Sequence, residues 1–325
     1  NISEFQHDSL TYLDLSNNHL HGPIPSLVFK QENLIALILA SNSKLTGEIS
    51  SSICKLRFLR VLDLSNNNFS GFMPLCLGNF SNMLLVLHLG MNNLQGTIPS
   101  TFSNDNSLEY LNLNGNELEG KISLYIINCT MLEFLHLGNN KIEDTFPCFL
   151  ETLPQLEILV LKSNKLQGFV KGSTTYNFFY KLWIFDISDN NFSGLLPTDL
   201  FSNKFMGQVP NSLGSLINLS DLDLSNNQLV GPIHSQLNTL SNLKYLFLYG
   251  NLFNGTIPSF LFALPSLQSL DLHNNNFIGN ISELQHDSLR FLDLSNNHLR
   301  GPIPSSIFEQ ENLTALILAS NSKLT

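Results

Sequence analysis

The sequence predicts an α/β solenoid of about 13 stacked coils, with a parallel β-sheet along its concave side and irregular or 3₁₀ turns along its convex side. Three observations predict it. A nine-residue segment, Leu-x-x-Leu-x-Leu-x-x-Asn, returns along the whole chain; an asparagine closes every copy; and a Gly-x-apolar-Pro pattern follows many of them.

The segment starts at Leu10, Leu34, Leu59, Leu84, Leu108, Leu132 and Leu156, in a variant form at Leu182, and again at Leu219, Leu243, Leu267, Leu289 and Leu313. Spacings run between 22 and 26 residues, with one exception of 37 between Leu182 and Leu219. In Leu10-Thr-Tyr-Leu-Asp-Leu-Ser-Asn-Asn18 the alternation around Leu13 and Leu15 marks a short strand, apolar inward and polar outward. One coil cannot bury these leucines alone, whereas stacked neighbours can.

The closing residues are Asn18, Asn42, Asn67, Asn92, Asn116, Asn140, Asn164, Asn190, Asn227, Asn251, Asn275, Asn297 and Asn321. Each falls where the backbone turns inward and its N–H and C=O groups meet a dry core. An amide side chain carries two donors and an acceptor, so a column of asparagines satisfies them. The second pattern occurs at Gly22–Pro25, Gly71–Pro74, Gly96–Pro99, Gly194–Pro197, Gly255–Pro258 and Gly301–Pro304. Glycine permits a turn at positive φ, the apolar residue points inward, and proline stops further ladder pairing. The stretch that follows, such as residues 100–107, is too short for a full helix and reads as 3₁₀ or irregular.

Composition narrows the functional classes. Hydrophobic residues make up 43% of the 325, charged residues only 13%, and the net charge is −10. An acidic chain with no basic patch is a poor match for nucleic acid. No run of about 18 apolar residues spans a bilayer, and Asn1 to Gln6 lack the basic start and apolar stretch of a signal peptide. Asn321 to Thr325 stop inside a repeat, so the chain is expected to be a piece of a longer one. Asn-x-Ser/Thr occurs at Asn1, Asn68, Asn79, Asn128, Asn191, Asn218, Asn254, Asn280 and Asn312, each a candidate glycosylation site. With four cysteines in an even set, these favour secretion.

The full pattern, Leu-x-x-Leu-x-Leu-x-x-Asn-x-Leu-x-Gly-x-Ile-Pro, resembles the plant-specific class of extracellular leucine-rich repeats. Leu137 to Pro147 (Leu-Gly-Asn-Asn-Lys-Ile-Glu-Asp-Thr-Phe-Pro), with Leu153 to Asn164, Ile53-Cys54, Cys76 to Ser81 and Asn128-Cys-Thr130, is similar to kinase-less receptor-like proteins related to the tomato leaf-mould resistance receptors. The resemblance implies a right-handed leucine-rich-repeat superhelix. It also implies the ectodomain of a plant-defence receptor at the outer face of the plasma membrane, a peptide or protein ligand, and leucine-rich-repeat receptor kinases as signalling partners. Any membrane attachment would come through a segment outside this chain. A soluble inhibitor of a microbial wall-degrading enzyme, or a non-functional piece of a duplicated receptor locus, remains an alternative.

Three departures from the family matter. Its capping segments are absent. A repeat tail, Lys204 to Pro210, lacks its strand, so two sub-arrays, 1–203 and 204–325, are expected within one continuous solenoid, with a fault near residues 198–212. Residues 1–46 and 280–325 are identical at 38 of 46 positions, the mark of a copied block.

Ligand contacts are expected at the third, fifth, seventh and eighth positions of each segment, which face outward. One candidate group is His88, Tyr110, Asn112, Phe134, His136 and Lys162. The other is Tyr245, Phe247 and Tyr249 on one strand, flanked by Asp221 and Asp223 before it and by Asp271 and His273 after it. Exposed aromatics beside polar groups suit an interface, though cross-strand packing also accounts for the second group. No catalytic residue, cofactor or metal site is expected. His88 and His136 sit on alternate strands with Asn112 between them, too far apart to share zinc. His7-Asp8-Ser9 and His286-Asp287-Ser288 are sequence neighbours that cannot converge as a triad. Cys54 with Cys76, and Cys129 with Cys148, lie on adjacent convex segments and are either two clamping disulfides or four buried thiols.

Overall fold

The computed structural model describes residues 9–79, 83–170, 179, 181–196, 216 and 218–325. It divides into two compact units, Asn1–Lys165 and Leu166–Thr325. The repeat tail at 204–210 and the expected fault at 198–212 lie outside the described residues, as do Asn1, His7 and Asp8.

In the first unit every repeat contributes one three-residue strand to a main sheet. These are β1 (Tyr12–Asp14), β2 (Ala36–Ile38), β3 (Val61–Asp63), β4 (Val86–His88), β5 (Tyr110–Asn112), β6 (Phe134–His136) and β7 (Ile158–Val160). Each pairs in parallel with the next, and equivalent positions align, so that Val86, Tyr110, Phe134 and Ile158 are successive partners. The second unit repeats the arrangement with β8 (Ile184–Asp186), β9 (Asp221–Asp223), β10 (Tyr245–Phe247), β11 (Ser269–Asp271), β12 (Phe291–Asp293) and β13 (Ala315–Ile317). β8 and β9 pair directly, Ile184 against Asp221, despite the 37-residue spacing of their repeats. No rung of the ladder is missing there.

The leucines of the repeat form the core. Leu84, Leu87 and Leu89 of one coil, and Leu108, Leu111 and Leu113 of the next, are at most 3% exposed. Burying each such side chain contributes about 2 kcal/mol. The unit is therefore held together by stacking, since no coil has an interior of its own.

The asparagine column forms as the sequence predicts. Asn92 Nδ2 donates to the carbonyls of Leu89 and Gly90 in its own turn, at 3.1 and 3.3 Å, and to Leu64 one coil back at 3.0 Å. Its Oδ1 accepts from Phe69 N–H at 3.0 Å. Asn116 and Asn140 in this unit, and Asn251, Asn275 and Asn297 in the other, repeat the pattern. Asn18, in the first coil described, has only its own carbonyls to bond and lies exposed.

Two features were not read from the sequence. The residue before each closing asparagine adopts a left-handed backbone: Asn17, Ser41, Asn66, Met91 and Gly115 have φ between 54° and 62°, and Asp189, Asn226 and Asn296 between 49° and 54°. Asparagine, aspartate and glycine recur there because they tolerate that conformation. Met91 is the bulky exception.

The second feature is a further parallel sheet in each unit. Six strands, from His21–Gly22 to Lys141–Ile142, build it in the first unit, and seven, from Gln167–Phe169 to Lys323–Leu324, in the second. Residues such as Asn93-Leu94-Gln95-Gly96 alternate about a buried leucine and so extend before the chain turns. Gly96 makes that turn at φ +78°, and a Cβ there would lie 2.5 Å from the Phe72 ring.

On the remaining side the chain forms short 3₁₀ segments, including Ser51–Lys55, Leu75–Gly78 and Leu124–Asn128, as expected. Residues 100–107 form no helix, and Ser305–Phe308 departs from the pattern as a single α-helical turn. Ser50 caps the first of these segments by accepting from Ser52 N–H. Among the described residues no helix is long and apolar enough to cross a membrane.

Cys54 and Cys76 form a disulfide between neighbouring 3₁₀ segments, their Cα atoms 6.0 Å apart. The other expected clamp is corrected. Cys129 and Cys148 are free thiols, the first wholly buried in the core and the second partly accessible at the start of the next 3₁₀ segment. Burial pushes the Cys129 thiol up to about 12, leaving it inert rather than available for pairing.

Candidate functional site

The register of β3 to β7 brings the first candidate group together as two parallel rows. Val61, Val86, Tyr110, Phe134 and Ile158 occupy the third position of successive segments and form an apolar row, each half-buried. Asp63, His88, Asn112, His136 and Val160 occupy the fifth position beside it. Tyr110 and Phe134 stand out in the sequence as aromatics, whereas Val86 and Ile158 do not, and only the register reveals that the row is continuous.

Aromatic contacts tie the rows. Tyr110 and Phe134 stack with centroids 4.1 Å apart. His88 meets the Tyr110 ring edge-on at 5.8 Å, and His136 meets Phe134 similarly at 6.1 Å. Asn112 Nδ2 donates to the Tyr110 hydroxyl at 3.3 Å, and Asn112 is itself only 6% exposed. It is thus more a support between the two histidines than a free contact.

Electrostatics distinguish these histidines. His88 Nδ1 lies 3.6 Å from Asp63 Oδ1. Burial alone would push the Asp63 carboxyl up, but hydrogen bonding from His88 and Ser65 outweighs it and the group is lowered overall. Burial, then the nearby charges of Lys162 and His88, push His136 down to about 4, so it stays neutral at ordinary pH. Its Nε2 is buried with no hydrogen-bond partner. That nitrogen keeps its capacity to donate or accept, but a ligand reaches it only if the ring turns outward.

In the second unit β9 to β12 assemble the other group. Tyr245 and Phe247 share one strand with centroids 6.5 Å apart, and Tyr249 stacks on His273 at 4.6 Å. All four are half-buried. Asp221 and Asp223 are the register partners of Tyr245 and Phe247. The acidic positions have a scaffold role as well: Asp223 Oδ1 accepts from Ser225 N–H at 2.9 Å and from its hydroxyl at 2.6 Å. The same Asp-x-Ser staple recurs at Asp63 and Asp186. Burial dominates at Asp223 and raises its carboxyl to about 6.

Of the sequons, Asn68, Asn79, Asn191, Asn218, Asn254, Asn280 and Asn312 are exposed. Asn128 is half-buried and its Nδ2 donates to Phe102 O at 2.7 Å.

The fold defines the class: a leucine-rich-repeat solenoid presenting an open, side-chain-bearing sheet. Comparison with known proteins agrees. The Leucine Rich Repeat family model matches residues 9–30, 58–80, 83–104, 107–129, 181–202, 218–240 and 288–309, a two-copy model matches 241–286, and a related repeat model matches 128–145. This chain is a leucine-rich-repeat protein. No curated protein matches its sequence.

Among solved structures it is similar to a TDR receptor, with 27% identity and a TM-score of 0.79 over 94% of this chain and 55% of that one. It is also similar to the plant peptide hormone receptor RGFR1 in complex with RGF2, with 26% identity and a TM-score of 0.69 over 96% and 59%. A third is the Arabidopsis receptor kinase HAESA ectodomain in complex with an extended IDA peptide hormone, with 28% identity and a TM-score of 0.61 over 95% and 57%. The chain spans little more than half the length of these receptors.

Proposed function

We propose that this chain is part of the ligand-binding ectodomain of a plant cell-surface receptor-like protein. Its ligand would be a peptide or a pathogen-derived protein, and signalling would pass to partner leucine-rich-repeat receptor kinases. The observation that carries the reading is the pair of rows across β3 to β7, apolar along Val61 to Ile158 and polar along Asp63 to His136. Rungs about 4.8 Å apart offer an extended peptide a side-chain contact at each step. An open, outward-facing row favours recognition over enclosed chemistry. The kinship in fold with ectodomains solved as peptide complexes supports it. The aromatics of β10 form a second contact zone on the same reading, and the exposed sequons are its glycosylation sites.

The test uses the full-length protein displayed on plant cells. Peptides from apoplastic fluid that co-purify with it are identified by mass spectrometry, synthesised, and titrated against the wild type and against Tyr110→Ala and Phe134→Ala. The expected result is a peptide whose affinity falls at least tenfold in either variant, about 1.4 kcal/mol. Peptide binding unchanged by both substitutions, and by Tyr245→Ala and Tyr249→Ala, overturns it.

A further inference from the structure

One outward cluster in the second unit departs from the staple that its neighbours share. In Asp186 and Asp223 the partner two residues on is serine, whose hydroxyl closes on the carboxylate at 2.6 Å. In the strand that carries Asp271 the partner is His273. Its N–H donates to Asp271 Oδ1 at 3.1 Å, and its Nδ1 lies 2.6 Å from that oxygen. The same Nδ1 lies 3.9 Å from Asp293 Oδ2, on the next coil. Asp271 and Asp293 are register partners, so the ladder holds the two carboxylates side by side.

The two side chains are 12% and 11% exposed. One ligand atom from each of the three residues falls within 4.8 Å of the others. The imidazole lies flat on Tyr249, their planes 8° apart, which holds the plane of the ring. Two carboxylates held on adjacent rungs repel when both are charged.

We propose that Asp271, His273 and Asp293 form a binding site for a divalent cation of the zinc class. Zinc takes an imidazole nitrogen and carboxylate oxygens at about 2.0–2.2 Å, which places tetrahedral ligand atoms roughly 3.4 Å apart. Separations of 2.6 and 3.9 Å around Nδ1 bracket that value. One imidazole among carboxylates favours zinc over calcium or magnesium, which prefer oxygen alone. Binding replaces the proton that Nδ1 shares with Asp271 Oδ1, and that proton leaves to solvent. The bound cation neutralises the paired carboxylates, ties two coils together, and keeps a coordination position open on the outward face. Among the described residues no second carboxylate joins His88 and Asp63, 3.6 Å apart in the first unit, to make such a site.

Asp271 and His273 stand beside the aromatic strand in the sequence, but Asp293 is 22 residues from Asp271, one coil on, and only the register brings it in.

The test uses the whole chain, stripped with chelator and titrated calorimetrically with zinc chloride, then with calcium chloride. The expected result is saturable zinc binding near one equivalent, a rise in melting temperature, and no comparable response to calcium. His273→Ser restores the staple of Asp186 and Asp223 and so retains the fold; it abolishes zinc binding. Asp293→Asn weakens it at least tenfold, whereas His88→Ser leaves it unchanged. Zinc binding that survives His273→Ser, or its absence in the wild type, overturns the proposal. The latter outcome would leave His273 as a hydrogen-bonding partner of Asp271 alone. Should His273→Ser melt early, cobalt(II) absorption of the wild type and of Asp293→Asn decides the matter: no coordination spectrum in the wild type also overturns it.

Discussion

Tyr110 and Phe134 lie face to face on neighbouring strands, ring centroids 4.1 Å apart and planes within 10°. The stack sits at the third position of two segments, where the side chains look outward and not into the core. Each ring therefore holds the other in place before any ligand arrives. A double-mutant cycle of Tyr110→Ala and Phe134→Ala should give a coupling of about 0.5–1.5 kcal/mol in urea unfolding. Strictly additive losses would show that the rings touch without supporting each other.

Asn92 makes a stronger claim on stability. Replacing it with alanine strands the Leu64, Leu89 and Gly90 carbonyls and the Phe69 N–H in a dry interior. The expected loss is about 2–4 kcal/mol, since each unsatisfied buried group costs roughly 1–3 kcal/mol and relaxation recovers part. The equivalent change at Asn18, which is exposed and bonds only within its own turn, should cost under about 1 kcal/mol. Equal losses at the two positions in chemical denaturation would contradict the column.

Asp223 gives a pH signature of definite sign. Its folded carboxyl titrates near 6, above the ordinary value of 3.8, chiefly through burial. The folded state therefore binds the proton more tightly. The stabilisation this brings is fully present below pH 3.8 and is lost as pH rises through 6. Asp223→Asn keeps an acceptor for Ser225 and removes the titration. Between pH 4 and 7 the variant should gain on the wild type by on the order of 1 kcal/mol, screening discounted. Melting curves across that range check it, and a difference constant with pH would refute the assignment.

The cysteines should separate cleanly by reactivity. Under native, non-reducing conditions iodoacetamide should label Cys148 and leave Cys129 untouched, because the Cys129 thiol is buried and titrates near 12. Cys76→Ala opens a link between residues 22 apart and should cost about 2–3 kcal/mol. Peptide mapping after labelling reads the first outcome, and urea unfolding of the variant reads the second.

The repeat was fully legible in the sequence, since leucine spacing encodes burial directly: Leu87, Leu111 and Leu135 are all at most 2% exposed. So was the closing asparagine, whose side chain has the right complement of donors and acceptor. Less legible was whatever depends on which coil lies beside which. The continuous row from Val61 to Ile158 and the meeting of His273 with Asp293 arise from register across 22 to 25 residues. Inspecting one repeat at a time conceals both. The second sheet escaped notice for another reason: strands such as Asn93–Gly96 are four residues long, and the glycine that ends each one reads only as a turn.

The left-handed residue before each closing asparagine has a consequence for diversification. Asn17, Asn66, Asn139, Asn226 and Asn296 face outward yet hold the bend of the backbone, so β-branched or bulky replacements there would strain the coil. The neighbouring third and fifth positions carry no such restriction and already range from Val86 and Tyr110 to Asp221 and Phe247. A new specificity is thus written in those two columns and in the seventh, which carries Lys162, Tyr249 and His273, as text set in fixed ruled lines, while the eighth column holds the bend.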